Sequence, residues 1–147
     1  MTIWFLSHAE TDLLALRSTV EDLPAGLGPV RVANPAVRPE VPDVEPGDAA
    51  IVRLLGGRSS WDGFDELRRR CRAAGVPFIA LSGEVAPDGE LAAASTVPAG
   101  IVAEAHRYVT AGGPANLAQL LRFVADTTLL GGFGFDPPQP LPAVVVW

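Results

Sequence analysis

No lysine occurs anywhere in the 147 residues; all 11 cationic side chains are arginine. The chain is also rich in Ala, Gly and Pro, so the bias matches GC-rich coding, but its chemical consequence is firm. A Walker A loop, a Schiff-base mechanism and a phospho-receiver site each need a lysine, and none of them can reside here. Cysteine is nearly absent as well. Cys71 has no partner for an internal disulfide, and with only His8 and His106 beside it a closed zinc site is not expected. Long apolar runs are missing too: residues 3–6 are too short for a membrane span or a signal-peptide core, and no basic segment precedes them. Net charge is −6, and Arg68, Arg69, Arg70 and Arg72 form the one dense cationic patch, which argues against a nucleic-acid surface. The expectation is a cytoplasmic protein of one domain, with no membrane span and no nucleic-acid partner.

What is present alternates between two periods. Residues 3–6 have strand length and composition, and after the polar stretch 7–12 the residues Leu13, Leu14, Leu16, Val20 and Leu23 recur near helical spacing. Residues 30–33 read as a second strand ending at Asn34-Pro35. Residues 35–48 carry Pro35, Pro39, Pro42 and Pro46 among acidic side chains without periodicity, which predicts an irregular surface connection. Residues 49–55 read as a third strand without polar alternation, as in a strand covered on both faces. Phe64, Leu67, Cys71 and Ala74 then lie on one helical stripe, closed by Gly75, and residues 78–81 form a fourth strand. A short helix is expected near 90–94, a longer one from Ile101 to Val109, and another from Pro114 towards Gly131. The pattern predicts an α/β, Rossmann-like or flavodoxin-like layered domain with a mainly parallel sheet of about 4–5 strands flanked by helices. Val144-Val145-Val146-Trp147 is the candidate fifth strand.

In open α/β sheets, ligands settle beyond the carboxyl ends of the strands. The polar loops expected there are Ser7-His8-Ala9-Glu10-Thr11-Asp12, Asn34-Pro35, Gly56-Gly57-Arg58-Ser59-Ser60 and Ser82-Gly83-Glu84. If Gly56, Gly57, Arg58, Ser59 and Ser60 open a helix, its free N–H groups and the arginine fork would receive a carboxylate or phosphate. The plain alternative is that Ser59 or Ser60 is an N-cap and the glycines only turn the chain. Ser7, His8 and Asn34 are further strand-end candidates. His8, near Glu10 and Asp12, fits a proton shuttle or metal ligand, and equally a solvated cap; His106 fits surface or packing. No G-x-S-x-G elbow occurs, Gly131-Gly132-Phe133-Gly134 follows a helix and not a strand, and residues 7–11 lack the glycine of a flavodoxin-type phosphate loop. The residues alone thus give a layered domain with an anion-friendly edge, and no reaction.

Several stretches in order carry more. "TDLLALRSTVEDLP" with "VRVANP", "VRLLGGRSSWDGFDELRRRCRAAGVPFIALSGE", "LAAASTVPAGIVAEAHRYVTAGGPANLAQLLRFVADTTL" and "GFGFDPPQPLP" together resemble the amino-terminal region of the CobN family, the large subunits of aerobic, ATP-dependent cobaltochelatase, which are related to the magnesium-chelatase large subunit. The resemblance implies a metal chelatase of the ligase class that inserts cobalt into hydrogenobyrinic acid a,c-diamide in cobalamin synthesis. It also implies that the large subunit holds the tetrapyrrole, while AAA+-type partners, CobS and CobT, use ATP. Family members are many times longer, and the region expected to carry metal insertion lies beyond Trp147. No catalytic residue, metal ligand or bound cofactor is therefore carried over to this chain. It is expected to be a truncated head domain over residues 1–131, with residues 132–147 a Pro-rich linker and the start of a following region. Its expected role is substrate enclosure or subunit contact, with the remainder of the large subunit as a partner. A non-enzymatic interaction module and a flavodoxin-like small-ligand domain are the alternatives.

Overall fold

Four strands, β1 (Ile3–Ser7), β2 (Val30–Ala33), β3 (Ala49–Leu54) and β4 (Phe78–Ser82), pair in parallel in the order β2-β1-β3-β4. The computed structural model describes residues 1–140. Ile3 pairs with Val30 on one side and Ala49 on the other, and Ala50 pairs with Phe78. This is a flavodoxin-like, Rossmann-like layered sheet, and the chain winds outward in both directions from β1 and β3.

The two-residue period of the strands sorts their side chains into two cores. Ile3, Phe5, Ala49, Ile51, Ile79 and Leu81 face one side, where α1 (Glu10–Thr19), α4 (Ala99–Ala111) and α5 (Pro114–Leu129) cover them. Leu6, Ala50, Val52, Leu54, Phe78 and Ala80 face the other, under α2 (Phe64–Ala74) and α3 (Gly89–Ala94). Burial on both faces is why β3 shows no hydrophobic alternation; all six of its residues are buried. Each large apolar side chain so enclosed contributes roughly 1.5–3 kcal/mol. Phe64 of α2 meets Phe78 of β4 edge to face at 5.3 Å, locking that helix to the sheet.

Local chemistry sets the helix limits. The stripe Phe64, Leu67 and Cys71 is buried, and α2 stops at Gly75 with φ 68°, where a side chain would be strained. Asp88 caps α3 by accepting from the Glu90 and Leu91 amides at 2.9 and 3.1 Å. Pro114 starts α5. Two expectations change in detail. Helix α1 ends at Thr19, and Val20–Asp22 is a separate 3-10 turn that tightens the exit. Arg58–Ser60 is likewise its own 3-10 turn and not the first turn of α2. Four strands are present among the described residues; the candidate fifth at Val144–Trp147 lies outside them.

The irregular 35–48 connection is fastened from α2 and the turn before it. Arg70 Nη1 donates to the carbonyls of Val41 and Pro42, and Trp61 Nε1 donates to Pro39 O. Among the described residues no helix is long and apolar enough to cross a membrane.

Candidate functional site

The strand order reverses between β1 and β3, so the crevice beyond their carboxyl ends is where a ligand would be sought first. Ser7 ends β1 opposite Arg53 of β3. The Arg53 side chain is buried, with Nη1 at 3.0 Å from both carboxylate oxygens of Asp12 in the first turn of α1. Its Nε donates to Ser82 O at the end of β4, at 3.1 Å. Ser7 Oγ donates to Asp12 Oδ2 at 2.9 Å and accepts from the Ala9 amide at 3.0 Å. One closed network therefore joins β1, α1, β3 and β4. A low-dielectric environment strengthens such contacts and penalises any gap, and no buried side-chain polar atom among the described residues lacks a partner.

His8 sits on the rim of this network. Its backbone N–H donates to Arg53 O at 3.1 Å, and its Nδ1 accepts from the Leu55 amide at 3.0 Å. A neutral ring with Nδ1 accepting carries its hydrogen on Nε2, so one nitrogen is committed to holding the 55–57 loop. On the other flank Asn34 Nδ2 donates to Glu10 Oε1 at 2.7 Å while Asn34 Oδ1 accepts from the Ala36 amide. Asn34 and Glu10 thus tie the end of β2 to the start of α1.

Gly56 and Gly57 take φ of 95° and 81°, the left-handed values that a tight exit from β3 requires. Beyond them the helix-start reading of Gly56, Gly57, Arg58, Ser59 and Ser60 is corrected. Helix α2 begins at Phe64 after Gly63, with no side-chain cap, so neither Ser59 nor Ser60 caps it. Ser60 Oγ instead donates to Gly57 O, and Ser59 is exposed. Arg58 donates through Nε and Nη2 to Asp65 Oδ1 at 3.0 and 2.7 Å and lies 5.2 Å from the centroid of the Phe64 ring. Its charge is neutralised by the first turn of the helix that was expected to share it.

The structure thus brings Ser7 and His8 to the switch point, holds Asn34 beside them through Glu10, and sets the Gly56–Arg58 turn on the β3 side. Of the polar centre of this edge, Asp12 and Ser82 lie in loops that the pattern places at the strand ends, whereas Arg53 escapes the pattern because it lies inside an apolar strand run. A single arginine in a doubly covered strand was the available signal, since it demands a buried carboxylate. Next to this network a cavity of about 290 Å³ opens at the end of β4, lined by Leu81, Ser82, Asp88, Val102, His106 and Arg107 among others. His106 Nε2 is 2.9 Å from Glu84 O and steadies the loop at its mouth. Among the described residues no group of three or more His, Cys, Asp or Glu side chains is gathered as a metal site.

No family profile and no curated protein matches the chain. Among solved structures it is similar to the catalytic subunit of cobaltochelatase from Mycobacterium tuberculosis, with a TM-score of 0.77 and 36% identity. The likeness covers 96% of this chain and 11% of that subunit, so the chain spans about a tenth of its relative.

Proposed function

Since the chain belongs to the cobaltochelatase large-subunit family as a CobN-like domain, we propose that it works as a head that makes contacts inside a cobalt-inserting assembly and performs no chemistry of its own. In this reading the assembly's substrates are cobalt and hydrogenobyrinic acid a,c-diamide. ATP is used by partners of the CobS and CobT type, and the metal-insertion residues belong to the remainder of the large subunit.

The observation that carries this reading is the closed Ser7–Asp12–Arg53–Ser82 network. The one buried cation at the switch point already has a carboxylate and a carbonyl as partners, so an incoming anion would have to displace both. Around that edge Leu55 and Val85 are exposed, 55% and 77%, and in this reading a protein partner covers them. The test is a calorimetric titration of the chain with hydrogenobyrinic acid a,c-diamide, beside a pull-down with the remainder of the large subunit. Association with the polypeptide and no saturable corrinoid binding is the expected result. Saturable corrinoid binding that Arg58→Ala weakens tenfold would replace this reading by substrate enclosure through the 56–60 turn.

A further inference from the structure

Residues 132–140 have the composition of a linker: glycine, then phenylalanine, then three prolines. Their backbone is nevertheless held along its length by one face of α5. Asp126 accepts from the amides of Phe133 and Gly134 at 2.7 Å each, through its two carboxylate oxygens. One helical turn earlier, Arg122 Nη1 donates to the carbonyls of the same two residues at 3.3 and 3.4 Å. Gln119 Oε1 accepts from the Asp136 amide at 2.7 Å. Asn116 makes a two-way amide pair with Gln139, accepting its N–H at 2.8 Å and donating to its carbonyl at 2.7 Å. The spacing Asn116, Gln119, Arg122, Asp126 is three, three and four residues, a single stripe on a helix.

The sequence of the segment fits that stripe. The amides of residues 133, 134, 136 and 139 each meet a side-chain acceptor, whereas residues 137, 138 and 140 are prolines and have no N–H to satisfy. Proline also lowers the entropy lost when an extended segment is fixed. The contacts are to backbone, and the side chains add an apolar anchor: Phe135 lies edge-on to Phe123 at 5.1 Å. Tyr108 of α4 donates to Asp136 O, extending the grip to a second helix.

The direction of the segment matters. Thr127 and Thr128, near the end of α5, lie with Val76 and Pro77 at the start of β4, whereas Pro138 and Pro140 lie with Val85 and Thr110 beyond its end. The segment therefore runs back along α5 from the amino edge of the sheet to the carboxyl edge. We propose that the stripe on α5 is a backbone-reading surface whose occupant is the chain's own 133–139 segment. That segment is a fixed strap, part of one folding unit with residues 1–131, and it brings position 140 to the edge that carries Leu55 and Val85. Polypeptide that follows in a longer chain of this family would then start from that edge in a set direction. The inference stands on its own geometry and survives if the domain's role in cobalt insertion proves different.

Amide hydrogen exchange on the 147-residue chain tests it. The amides of Phe133, Gly134, Asp136 and Gln139 are expected to exchange at least about 100-fold more slowly than in an unstructured peptide. Gln119→Ala should release only Asp136, and Asn116→Ala only Gln139, with Ile51 and Val52 in the sheet still protected in both. Exchange of the four amides within about tenfold of unstructured rates would overturn the proposal. So would variants whose Asp136 and Gln139 amides stay as slow as in the parent chain.

Discussion

Arg53 and Asp12, 41 residues apart in sequence, hold each other at 3.0 Å across the point where the sheet changes winding direction. With side chains only 11% and 5% exposed, each would leave an uncompensated buried charge if the other were removed. Asp12→Leu or Arg53→Met alone should cost about 3 kcal/mol, whereas the two replacements together should recover most of that loss. Urea unfolding of the four proteins of the cycle gives the coupling directly. Additive single effects would mean that the pair does not hold the edge together.

Gly83 is where two loops of the same edge touch. A Cβ built there would lie 2.8 Å from Leu55 Cα and N, and these are backbone atoms that cannot swing aside. Gly83→Ala is expected to cost about 2 kcal/mol and to loosen the 55–57 loop that His8 holds. Thermal unfolding checks the first expectation, and exchange of the Leu55 amide checks the second.

Acid stability depends on Asp48. Burial by itself would raise its carboxyl, but the Glu45 and Thr2 amides, Trp4 Nε1 and the terminal ammonium together outweigh burial and hold it below its ordinary value of 3.8. A carboxylate depressed on folding contributes stability that is complete above the unfolded value and disappears as pH falls through the folded one. Stability should therefore drop below about pH 4, and Asp48→Asn should flatten that limb while lowering stability at pH 7. Urea midpoints between pH 2.5 and 7 for the two proteins read both effects. The variant keeping the full acid slope would remove Asp48 from the account.

Cys71 is fully buried in the second core, and burial, aided by the Asp48 charge, pushes its thiol up to about 12. Thiolate is the reactive form, so labelling by a thiol reagent at pH 8 should be at least about 1000-fold slower in the folded chain than in urea. Rapid labelling without denaturant would mean that α2 leaves the sheet readily.

Most of the fold is legible in short apolar runs and helical periodicity. The strands read at 3–6, 30–33, 49–55 and 78–81 follow from short apolar runs bounded by turn residues, and the Phe64–Cys71 stripe from helical spacing, because both faces of the sheet are covered and each helix buries one stripe. The polar centre of the candidate site was less legible. Ser7, His8 and Asn34 were visible as strand-end residues, but Arg53 was hidden in an apolar run and its partner Asp12 looked like a cap. The 58–60 turn misled for a related reason. Glycine, serine and a following amphipathic stripe announce a helix start, but the extended Trp61 and then Gly63 delay it to Phe64. The strap left no periodic trace, since extended backbone held by side chains has no period of its own.

The central claim is that this chain is a contact-making head whose larger relatives do the chemistry elsewhere. The direct measurement is the absorption spectrum of hydrogenobyrinic acid a,c-diamide during incubation with cobalt(II) and the purified 147-residue chain, with ATP and CobS- and CobT-type subunits added, and a complete large subunit run in parallel. The account predicts a corrin spectrum that stays metal-free with the 147-residue chain and changes with the complete subunit. Conversion to the cobalt corrinoid with the 147-residue chain as the sole large-subunit component would contradict it.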